Sequence, residues 1–552
     1  MRALILLMIL DLMLISKANA AQAPKNKIKY VVEFNEAEIP CLDIVANYTT
    51  DEQGDLILVP PPNINSYKVL TKYFKIEALA PRIFKLNFEP ETHAKIQYKV
   101  CMMPAHNPMD FPVVKKDFFN FATNGTLVVP GFKTEDIWEV DIEIKGAKDF
   151  TFFSSNGKMA TNTVHYTGLA CHFMNFLVAA TKQKFYEFNV QDQPILVLAD
   201  AKQAPLVKAR IEKLKKIFSF QRRLMKDYPT TPLLINFIST APDSIAYGRH
   251  WLRALSVWVP ENNSEIKVLD TIGHEFFHQW LGWTLNSINN PAEFLWLVEG
   301  VDDYIGLLST YAAGVITLAE YVDMLNYRLS AYYTSPLVEL TYPQLADKAL
   351  YDLTHNIIAQ LRGNLATLML HNQVNSALEN STLIKVMKNL LHSVQLVGEN
   401  VLPSKDNALT SEQVASHFLA SLNHGEWQQY KNAINFSETQ AYLRLPKKII
   451  NNKARLTKQW LKIALPEFDL TTLYTQHKIK DLTLDSPAYQ AGLREEMTVK
   501  DYELSALYKP GKKITLVVET QDDQQKIIEF FPNTTYQLIP QYHIMPTQNA
   551  LM

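Results

Sequence analysis

The feature that most constrains the fold is the segment 271–280, TIGHEFFHQW, in which two histidines are four positions apart. If this segment is helical, His274 and His278 lie on one face, one turn apart, where their imidazoles can bind one zinc ion. Glu275 directly follows the first histidine and can act as the general base that takes a proton from water in peptide hydrolysis. The alternative is that both histidines are ordinary core residues among the neighbouring aromatic side chains.

Glu299 is the candidate third metal ligand. It lies in the apolar segment 293–304, which predicts a second helix, and the 20 residues between His278 and Glu299 suffice for a turn and a return. Catalytic zinc usually takes three protein ligands and leaves a fourth position for water. Two histidines and one glutamate therefore make a complete and open ligand set.

Two aspartates shortly after Glu299 can support a metal-bound histidine. Asp303 follows Glu299 by four residues and shares its face of the predicted helix. From there it can accept a hydrogen bond from the second ring nitrogen of a ligating histidine and so fix the tautomer. Asp302 is the competing candidate, and either residue could instead be a solvated helix charge. We predict this second-layer role for Asp303.

The composition predicts a folded protein of several domains. Of the 552 residues, 47% are hydrophobic and 20% are charged, which gives no sign of disorder. A chain of this length is expected to form about two to four domains. The formal net charge of -2 provides no overall attraction to nucleic acid, and the cationic stretch 208–226 is typical of the solvated side of an amphipathic helix. We therefore expect no nucleic-acid partner.

The first 20 residues predict export. Arg2 precedes an apolar run from Leu4 to Ile15 that only Asp11 interrupts, and Ala18-Asn-Ala20 follows as a cleavage site. A membrane anchor is the alternative, but the run is shorter than the roughly 20 apolar residues that span a membrane. We expect a cleaved signal peptide, no stable membrane insertion, and a periplasmic or secreted protein.

The three cysteines, Cys41, Cys101 and Cys171, lack the spacing of metal ligands. Because three cysteines cannot all pair, at most one disulfide joins two of them in an oxidising compartment. The sequence does not determine which two. Small buried side chains are the alternative for all three.

The chain after the signal peptide divides into three predicted domains. Residues 21–182 consist of short strands with period-two alternation, such as 96–100, and predict an N-terminal β-rich domain. Residues 183–464 start with strands at 195–198, 233–237 and 255–259 and then become helical, which predicts an α+β domain with the metal helix at the junction. The predicted helices in this domain are 206–228, 317–332, 355–374, 381–395 and 411–423.

Residues 465–545 predict a third, β-rich domain with strands at 478–484, 514–518 and 526–530. The stretch 485–493, DSPAYQAGL, resembles the strand, turn and short helix of a PDZ domain. PDZ domains hold an extended peptide as an added strand, often by its C-terminal carboxylate. Arg494 and Glu495 replace the usual Gly-Asp pair, and no glycine-rich carboxylate loop is evident, so a packing role is the alternative to peptide capture.

The motifs HEFFHQW, LWLVEG and DSPAYQAGL, in this order, resemble the glycyl aminopeptidase family of gluzincin metallopeptidases. The resemblance extends over essentially the whole mature chain. It implies a multidomain α+β fold with a β-rich N-terminal domain, a thermolysin-like catalytic domain with a helical bundle, and a C-terminal PDZ-like β domain. It also implies zinc as the cofactor, with His274, His278 and Glu299 as ligands and Glu275 as catalytic base.

The sequence departs from the family pattern in three places. The connection 281–290 is shorter than usual and has no lysine or arginine. The expected Gly-Gly-Leu-Glu-His is nearest to 247–250, YGRH, which lacks the glutamate that binds a free amine in related aminopeptidases. The family's Tyr-x-Lys-Gly aligns with 360–363, QLRG, which lacks the tyrosine that stabilises the oxyanion. Tyr351 and His355 are candidate substitutes, although both could be packing residues.

Together these features predict an exported zinc metallopeptidase of aminopeptidase type. The alternative is a zinc-stabilised peptide-binding protein with weak or lost catalysis. The presence of Glu275 favours the enzyme, whereas the missing glutamate and tyrosine favour the binding protein. The expected partners are a peptide or protein substrate and, at the PDZ-like domain, a peptide C-terminus.

Overall fold

The computed structural model describes most of the chain, in two compact units. The described residues are 27–35, 41–61, 64, 67–80, 83–101, 112–132, 136–226, 229–240, 246–261, 263–282, 293–349, 353–373, 384–389, 411–422, 424–435, 445–449, 453–504, 511–520 and 524–545. The first unit comprises residues 1–289, 312–315 and 388–411, and the second comprises 290–311, 316–387 and 412–552. The predicted signal peptide lies outside the described residues, and the three domain boundaries stay predictions.

Three β-sheets form the N-terminal part of the first unit. Their strand orders are β14-β11-β1-β2-β7-β4, β10-β3-β6-β5 and β13-β12-β15-β9-β8. Every second side chain of β7 is buried, as the period-two alternation of its sequence predicts. The strands are β1 Lys27–Asn35, β2 Cys41–Thr49, β3 Asp55–Val59, β4 Tyr67–Val69, β5 Lys75–Ala80, β6 Ile83–Asn87, β7 His93–Cys101, β8 Val113–Lys115, β9 Phe118–Ala122, β10 Val129–Pro130, β11 Ile137–Lys145, β12 Thr151–Ser154, β13 Gly157–Lys158, β14 Thr163–Leu169 and β15 Leu177–Thr181. Two short helices, α1 Thr123–Thr126 and α2 Ala170–Phe173, connect them.

A disulfide joins two adjacent strands of the first sheet. Cys41 at the start of β2 lies directly opposite Cys101 at the end of β7, and their sulfur atoms are bonded. Cys171 is half-buried and takes no part in this disulfide. The register of β2 and β7 thus decides the pairing that the sequence leaves open.

A five-stranded sheet in the first unit leads to the metal helix. Its order is β16-β17-β18-β20-β19, with the three central strands parallel and both outer strands antiparallel. The central strands are almost continuously apolar, as expected for strands that are covered on both faces. The elements are β16 Tyr186–Val190, β17 Gln193–Ala199, α3 Ala204–Met225, β18 Leu233–Thr240, β19 Tyr247–Trp251, β20 Ala254–Pro260 and α4 Glu265–Phe277.

Most of the second unit is helical. The segment through Glu299 is a π-helical turn, Trp296–Val301, that continues into α5, Asp302–Ala312. The following elements are α6 Leu318–Tyr333, a 3₁₀ turn Pro336–Glu339, α7 Tyr342–Ala349, α8 Leu353–Gln373, a helical stretch at 384–389, α9 Ser411–Ser421 and α10 His424–Asn435. The helices predicted from the sequence are present and agree to within a few residues where the chain is described. Within that part of the chain, no helix is both long and apolar enough to cross a membrane.

The C-terminal part of the second unit contains two three-stranded sheets, β21-β22-β26 and β23-β24-β25. The elements are β21 Lys448–Ile449, β22 Ala454–Ala464, α11 Leu470–Gln476, α12 Pro487–Gln490, β23 Thr498–Glu503, β24 Ile514–Glu519, β25 Gln525–Phe530 and β26 Thr534–Ile544. The predicted strand 478–484 is wrong, because only Lys478 pairs there, in an isolated bridge to Thr498. Asp481 adopts a left-handed φ of 51° that turns the chain out of a strand. The PDZ assignment stays a prediction.

Candidate metal centre

Local sequence and packing hold the metal helix in place. Ser264 caps α4 by accepting a hydrogen bond from the backbone N–H of Lys267. The apolar side of the helix packs into the core, where Phe276 stacks on Phe218 of α3 with a centroid separation of 3.8 Å. Gln221, also on α3, donates a buried hydrogen bond of 2.8 Å to the carbonyl of Gly273. These contacts fix the turn of helix that carries the two histidines.

The two histidines direct the same ring nitrogen toward each other. The Nε2 atoms of His274 and His278 are 3.1 Å apart, and the ring planes are nearly perpendicular at 87°. Both residues are only 8% exposed. The predicted spacing therefore does place two imidazoles on one face, although His278 lies one residue beyond the last regular turn of α4.

The backbone carbonyl of Leu281 orients the ring of His278. The Nδ1 atom of His278 lies 2.9 Å from this oxygen, which can only accept a hydrogen bond. The Nδ1 atom therefore carries the proton, and the Nε2 atom presents its lone pair toward His274. Two nitrogens at this distance repel each other unless a proton or a cation lies between them.

Glu299 joins the two histidines. Each of the three residues offers one ligand atom, and these atoms all lie within 4.8 Å of one another, a group that could hold a metal ion. Glu299 belongs to the π-helical turn Trp296–Val301, and such turns occur often at functional sites. The sequence predicts a helix here but does not predict that this turn is π-helical.

Two glycines position the segment that carries Glu299. A Cβ atom built on Gly300 would stand 2.6 Å from the Cα of Gly363, and one built on Gly363 would stand 2.3 Å from the carbonyl oxygen of Trp296. The backbone of the π-helical turn therefore touches the backbone of α8. Only glycine permits this approach at either position.

The carboxyl group of Glu275 lies beneath the outer strand β19. Glu275 is 5% exposed, and its Oε1 atom is 4.0 Å from the Nε2 atom of His274. A Cβ atom built on Gly248 would stand 2.3 Å from the Cγ atom and 2.5 Å from the Oε1 atom of Glu275. The glycine in the segment 247–250 thus leaves the space that the carboxyl group occupies.

The two aspartates after Glu299 are in different environments. Asp303 accepts hydrogen bonds from Arg328, at 2.8 Å to Oδ2 and 2.6 Å to Oδ1, and a third from Asn364 at 2.7 Å. Both of its oxygens are thus engaged within the second unit, and its predicted role beside a ligating histidine stays a prediction. Asp302 is fully buried.

His250 brings a third imidazole close to the first two. Its ring centroid lies 5.9 Å from that of His278. Burial, and then the proximity of His278 and His274, lower the pKa of His250 well below its ordinary value. Strand β19 itself carries no acidic residue, so the glutamate that the family pattern places near this strand has no counterpart within it.

The segment aligned with the family's Tyr-x-Lys-Gly lies on α8. Its arginine, Arg362, is fully buried and donates to the hydroxyl of Tyr332 at 3.0 Å and to the carbonyl of Val338 at 2.9 Å. Gln360 is half-buried and His355 is buried, whereas Tyr351 lies outside the described residues. Arg362 is therefore a packing residue that ties α8 to the preceding helices.

Sequence reasoning missed the contributions that come through the backbone. The carbonyl of Leu281, which orients His278, belongs to the backbone, so no residue type in the sequence indicates its role. The need for glycine at 248, 300 and 363 could have been suspected from their places beside the motif residues, but the atoms that require it belong to distant segments.

The comparison of the sequence with protein families finds one match at this site. A model of the M61 glycyl aminopeptidase family matches residues 267–347. This range includes both histidines, Glu275 and Glu299. The match confirms the resemblance to the glycyl aminopeptidases, and its range contains two of the three motifs, HEFFHQW and LWLVEG.

The comparison of structures shows a fold that this chain shares with a solved protein. An aminopeptidase N family protein from Idiomarina loihiensis matches with a TM-score of 0.63 and 13% identity, over 94% of this chain and 98% of that chain. An M1 zinc metallopeptidase from Deinococcus radiodurans matches over 76% of this chain and 95% of its own, with 11% identity and a TM-score of 0.48. No curated protein matches the chain by sequence.

Proposed function

We propose that this chain, which the model of the glycyl aminopeptidase family matches over residues 267–347, is an exported zinc-dependent peptidase that hydrolyses peptide bonds with water. The observation that carries the proposal is the convergence of ligand atoms from His274, His278 and Glu299 within 4.8 Å of one another. Glu275 adds a buried carboxyl group beside the first of these ligands. This set matches an open catalytic site better than a closed structural one.

The geometry of the two imidazoles supports zinc. Zinc–nitrogen bonds of about 2.0–2.1 Å at tetrahedral angles place two ligating nitrogens about 3.4 Å apart. The Nε2 atoms of His274 and His278 are 3.1 Å apart. His278 is already held in the tautomer that a metal requires, because its Nδ1 atom donates to the carbonyl of Leu281.

The metal ligands and Glu275 have separate roles in the proposed reaction. Zinc, when bound, supplies the Lewis acidity that makes water acidic enough to lose a proton near neutral pH. His274, His278 and Glu299 hold the ion, and Glu275 accepts the proton of the attacking water. Glu275 then returns that proton to the departing amine, as a general base that becomes a general acid.

Burial of Glu275 suits this role. Its carboxyl group lies beneath Gly248 of β19 and is 5% exposed, so little water competes for its hydrogen bonds. The close cover of β19 therefore positions the carboxyl group beside the candidate metal ligands.

The export part of the proposal rests on two features. The N-terminal sequence has the pattern of a cleaved signal peptide. The disulfide between Cys41 and Cys101 is of a kind that persists in oxidising compartments. A periplasmic or secreted location accounts for both.

The C-terminal region has features of a PDZ-like domain that holds a peptide. Ser486 caps the short helix α12, and Gly492 follows this helix with a left-handed φ of 103°, in agreement with the motif DSPAYQAGL. A peptide C-terminus is the expected ligand of such a domain. Loss of cleavage of long peptides alone, after truncation before residue 465, would support capture, whereas loss of folding would support a packing role.

The experiment that tests the proposal separates metal binding from catalysis. Hydrolysis of a peptide library is measured with and without chelator, and zinc content is measured for each variant. His274→Ala and Glu299→Ala should lose zinc and activity together. Glu275→Gln should keep zinc and lose activity, since Glu275 is assigned as base and not as ligand.

Matched controls guard against general damage. His165→Ala and Glu187→Gln change the same residue types at exposed positions of β14 and β16 and should leave zinc content and turnover unchanged. Zinc retained in both ligand variants would refute the ligand assignment. Zinc bound by a native chain that cleaves no peptide would instead support a peptide-binding protein.

A further inference from the structure

Strand β5 is the outer strand of its sheet and has an open edge. It pairs with β6 on one side, and in the described part of the chain no strand pairs with its other side. The side chains of the segment 73–79 are exposed on both faces of the strand. Exposed fractions are 39% for Tyr73, 67% for Phe74, 43% for Ile76 and 45% for Leu79. An edge of this kind, apolar and unpaired, favours the addition of another strand.

The backbone groups of Ile76 and Ala78 face the open edge. Asn87 of β6 directs its carbonyl toward β5, since it accepts a hydrogen bond from the N–H of Phe74 at 2.7 Å, and it lies opposite Lys75. Because successive residues of a strand direct their backbone groups to opposite sides, Lys75 and Glu77 face β6. Ile76 and Ala78 therefore turn their N–H and C=O groups outward, where an added strand can pair with them.

We propose that a second copy of this chain pairs with this edge, β5 against β5, antiparallel about a two-fold axis at Ile76. In this register Lys75 lies opposite Glu77 of the second copy, and Glu77 lies opposite the second Lys75. Exposed apolar side chains meet across the same axis, Ile76 with Ile76 of the second copy and Phe74 with Ala78, where the strand is still regular; its register shifts only beyond Ala78. One self-complementary patch thus forms an isologous interface.

The charges select this register over its neighbours. An axis at Lys75 would place two lysines opposite each other, and an axis at Glu77 would place two glutamates opposite each other. Parallel pairing in register would also align like charges. Directly opposed like charges destabilise a strand pair, whereas opposite charges stabilise it.

Formation of the interface costs the single chain little stability. Lys75 and Glu77 now approach each other along their own strand, with 3.4 Å between Nζ and Oε2 and side-chain exposures of 67% and 49%. An exposed ion pair of this kind contributes little to stability. The dimer replaces it with two cross-strand pairs and the main-chain hydrogen bonds of the edge.

The test uses charge exchange in the full chain, with molar mass measured by sedimentation equilibrium over a range of concentrations. The native chain should dimerise. Lys75→Glu and Glu77→Lys should each weaken dimerisation roughly tenfold or more, because each places like charges opposite each other twice. An equimolar mixture of the two variants should form mixed dimers, and the double variant Lys75→Glu/Glu77→Lys should dimerise again.

Two further measurements make the result specific to this edge. Lys513→Glu and Glu529→Lys reverse another exposed ion pair, 3.1 Å apart, between the residue before β24 and a residue of β25, and should leave the dimer unchanged. Deuterium uptake in the segment 73–79 should slow as the native chain dimerises. A chain that stays monomeric, a dimer insensitive to both single reversals, or a mixture that fails to associate would overturn the proposal.

Discussion

Gly248 and Glu275 occupy adjoining space so closely that no side chain fits between them. A Cβ atom on Gly248 would stand 2.3 Å from the Cγ atom of Glu275, well inside van der Waals contact. Gly248→Ala should therefore displace the Glu275 carboxyl group and lower turnover about 100-fold, as displacements of about 1 Å can do. Zinc content should stay unchanged, because Glu275 is not one of the three candidate metal ligands His274, His278 and Glu299.

A second glycine variant controls for the general effect of adding a methyl group. At Gly131 an added Cβ meets the side chain of Ile57 at 3.1 Å, in a sheet that carries none of the candidate metal ligands. Gly131→Ala should keep full turnover on the same peptides. Native turnover in Gly248→Ala would show that Glu275 does not act as the base from this position.

Substitution of Gly363 should impair the site as strongly as substitution of Gly248, but it should do so by weakening metal binding. Gly363→Ala would push α8 away from the backbone of Trp296, 2.3 Å from the added atom, and shift the turn that carries Glu299. Overpacking of this kind costs about 1–3 kcal/mol. We expect a lower melting temperature and weaker zinc binding in a competition assay with a chelator. Gly425→Ala, at an exposed position of α10, should lower neither.

A buried ion pair in the first unit predicts a defined loss of stability in acid. Lys115 contacts the carboxylate of Asp200, and its Nζ atom also lies 2.9 Å from the carbonyl of Ser239. The N–H and hydroxyl of Ser239 donate to the same carboxylate at 2.7 and 2.6 Å. Burial alone would raise the pKa of Asp200, but the charge of Lys115 and these hydrogen bonds outweigh it and lower the pKa below its ordinary value.

Lys115→Met should therefore destabilise the protein most at neutral pH, by about 2 kcal/mol for the lost charged hydrogen bond. Because the folded-state pKa of Asp200 is lowered, its contribution is complete above the unfolded value of about 3.9 and is lost as the pH falls through the folded value. The difference in melting temperature between native and variant chains should shrink below about pH 4. A difference that is constant from pH 7 to pH 3 would contradict this account.

Gln360 tests whether the site lacks an oxyanion donor. If Gln360 replaces the tyrosine of the family pattern, Gln360→Tyr should raise turnover, by up to about 10²–10³-fold for a restored donor. Steady-state rates on blocked and unblocked peptides measure this gain. Native turnover that is already high and unaffected by the change would show that the alignment of 360–363 with the family's motif is incorrect.

Features that depend on local periodicity can be predicted from the sequence alone. The spacing of His274 and His278 places both rings on one face because a helix repeats every 3.6 residues. The same kind of local periodicity predicts the helices of the second unit and the alternating strands of the first. The predicted ends of these elements agree with the structure to within a few residues. The order of three short motifs was enough to predict the family.

Features in which distant segments meet depend on the three-dimensional fold and could not be predicted from local sequence. The sequence left open which two cysteines pair, and the register of β2 against β7 decided it. The tautomer of His278, the cover of Gly248 over Glu275 and the contact of Gly300 with Gly363 are all set by backbone atoms, which leave no pattern of side chains to detect. The strand predicted at 478–484 failed for the same reason, since strand formation depends on a partner that the local sequence does not specify.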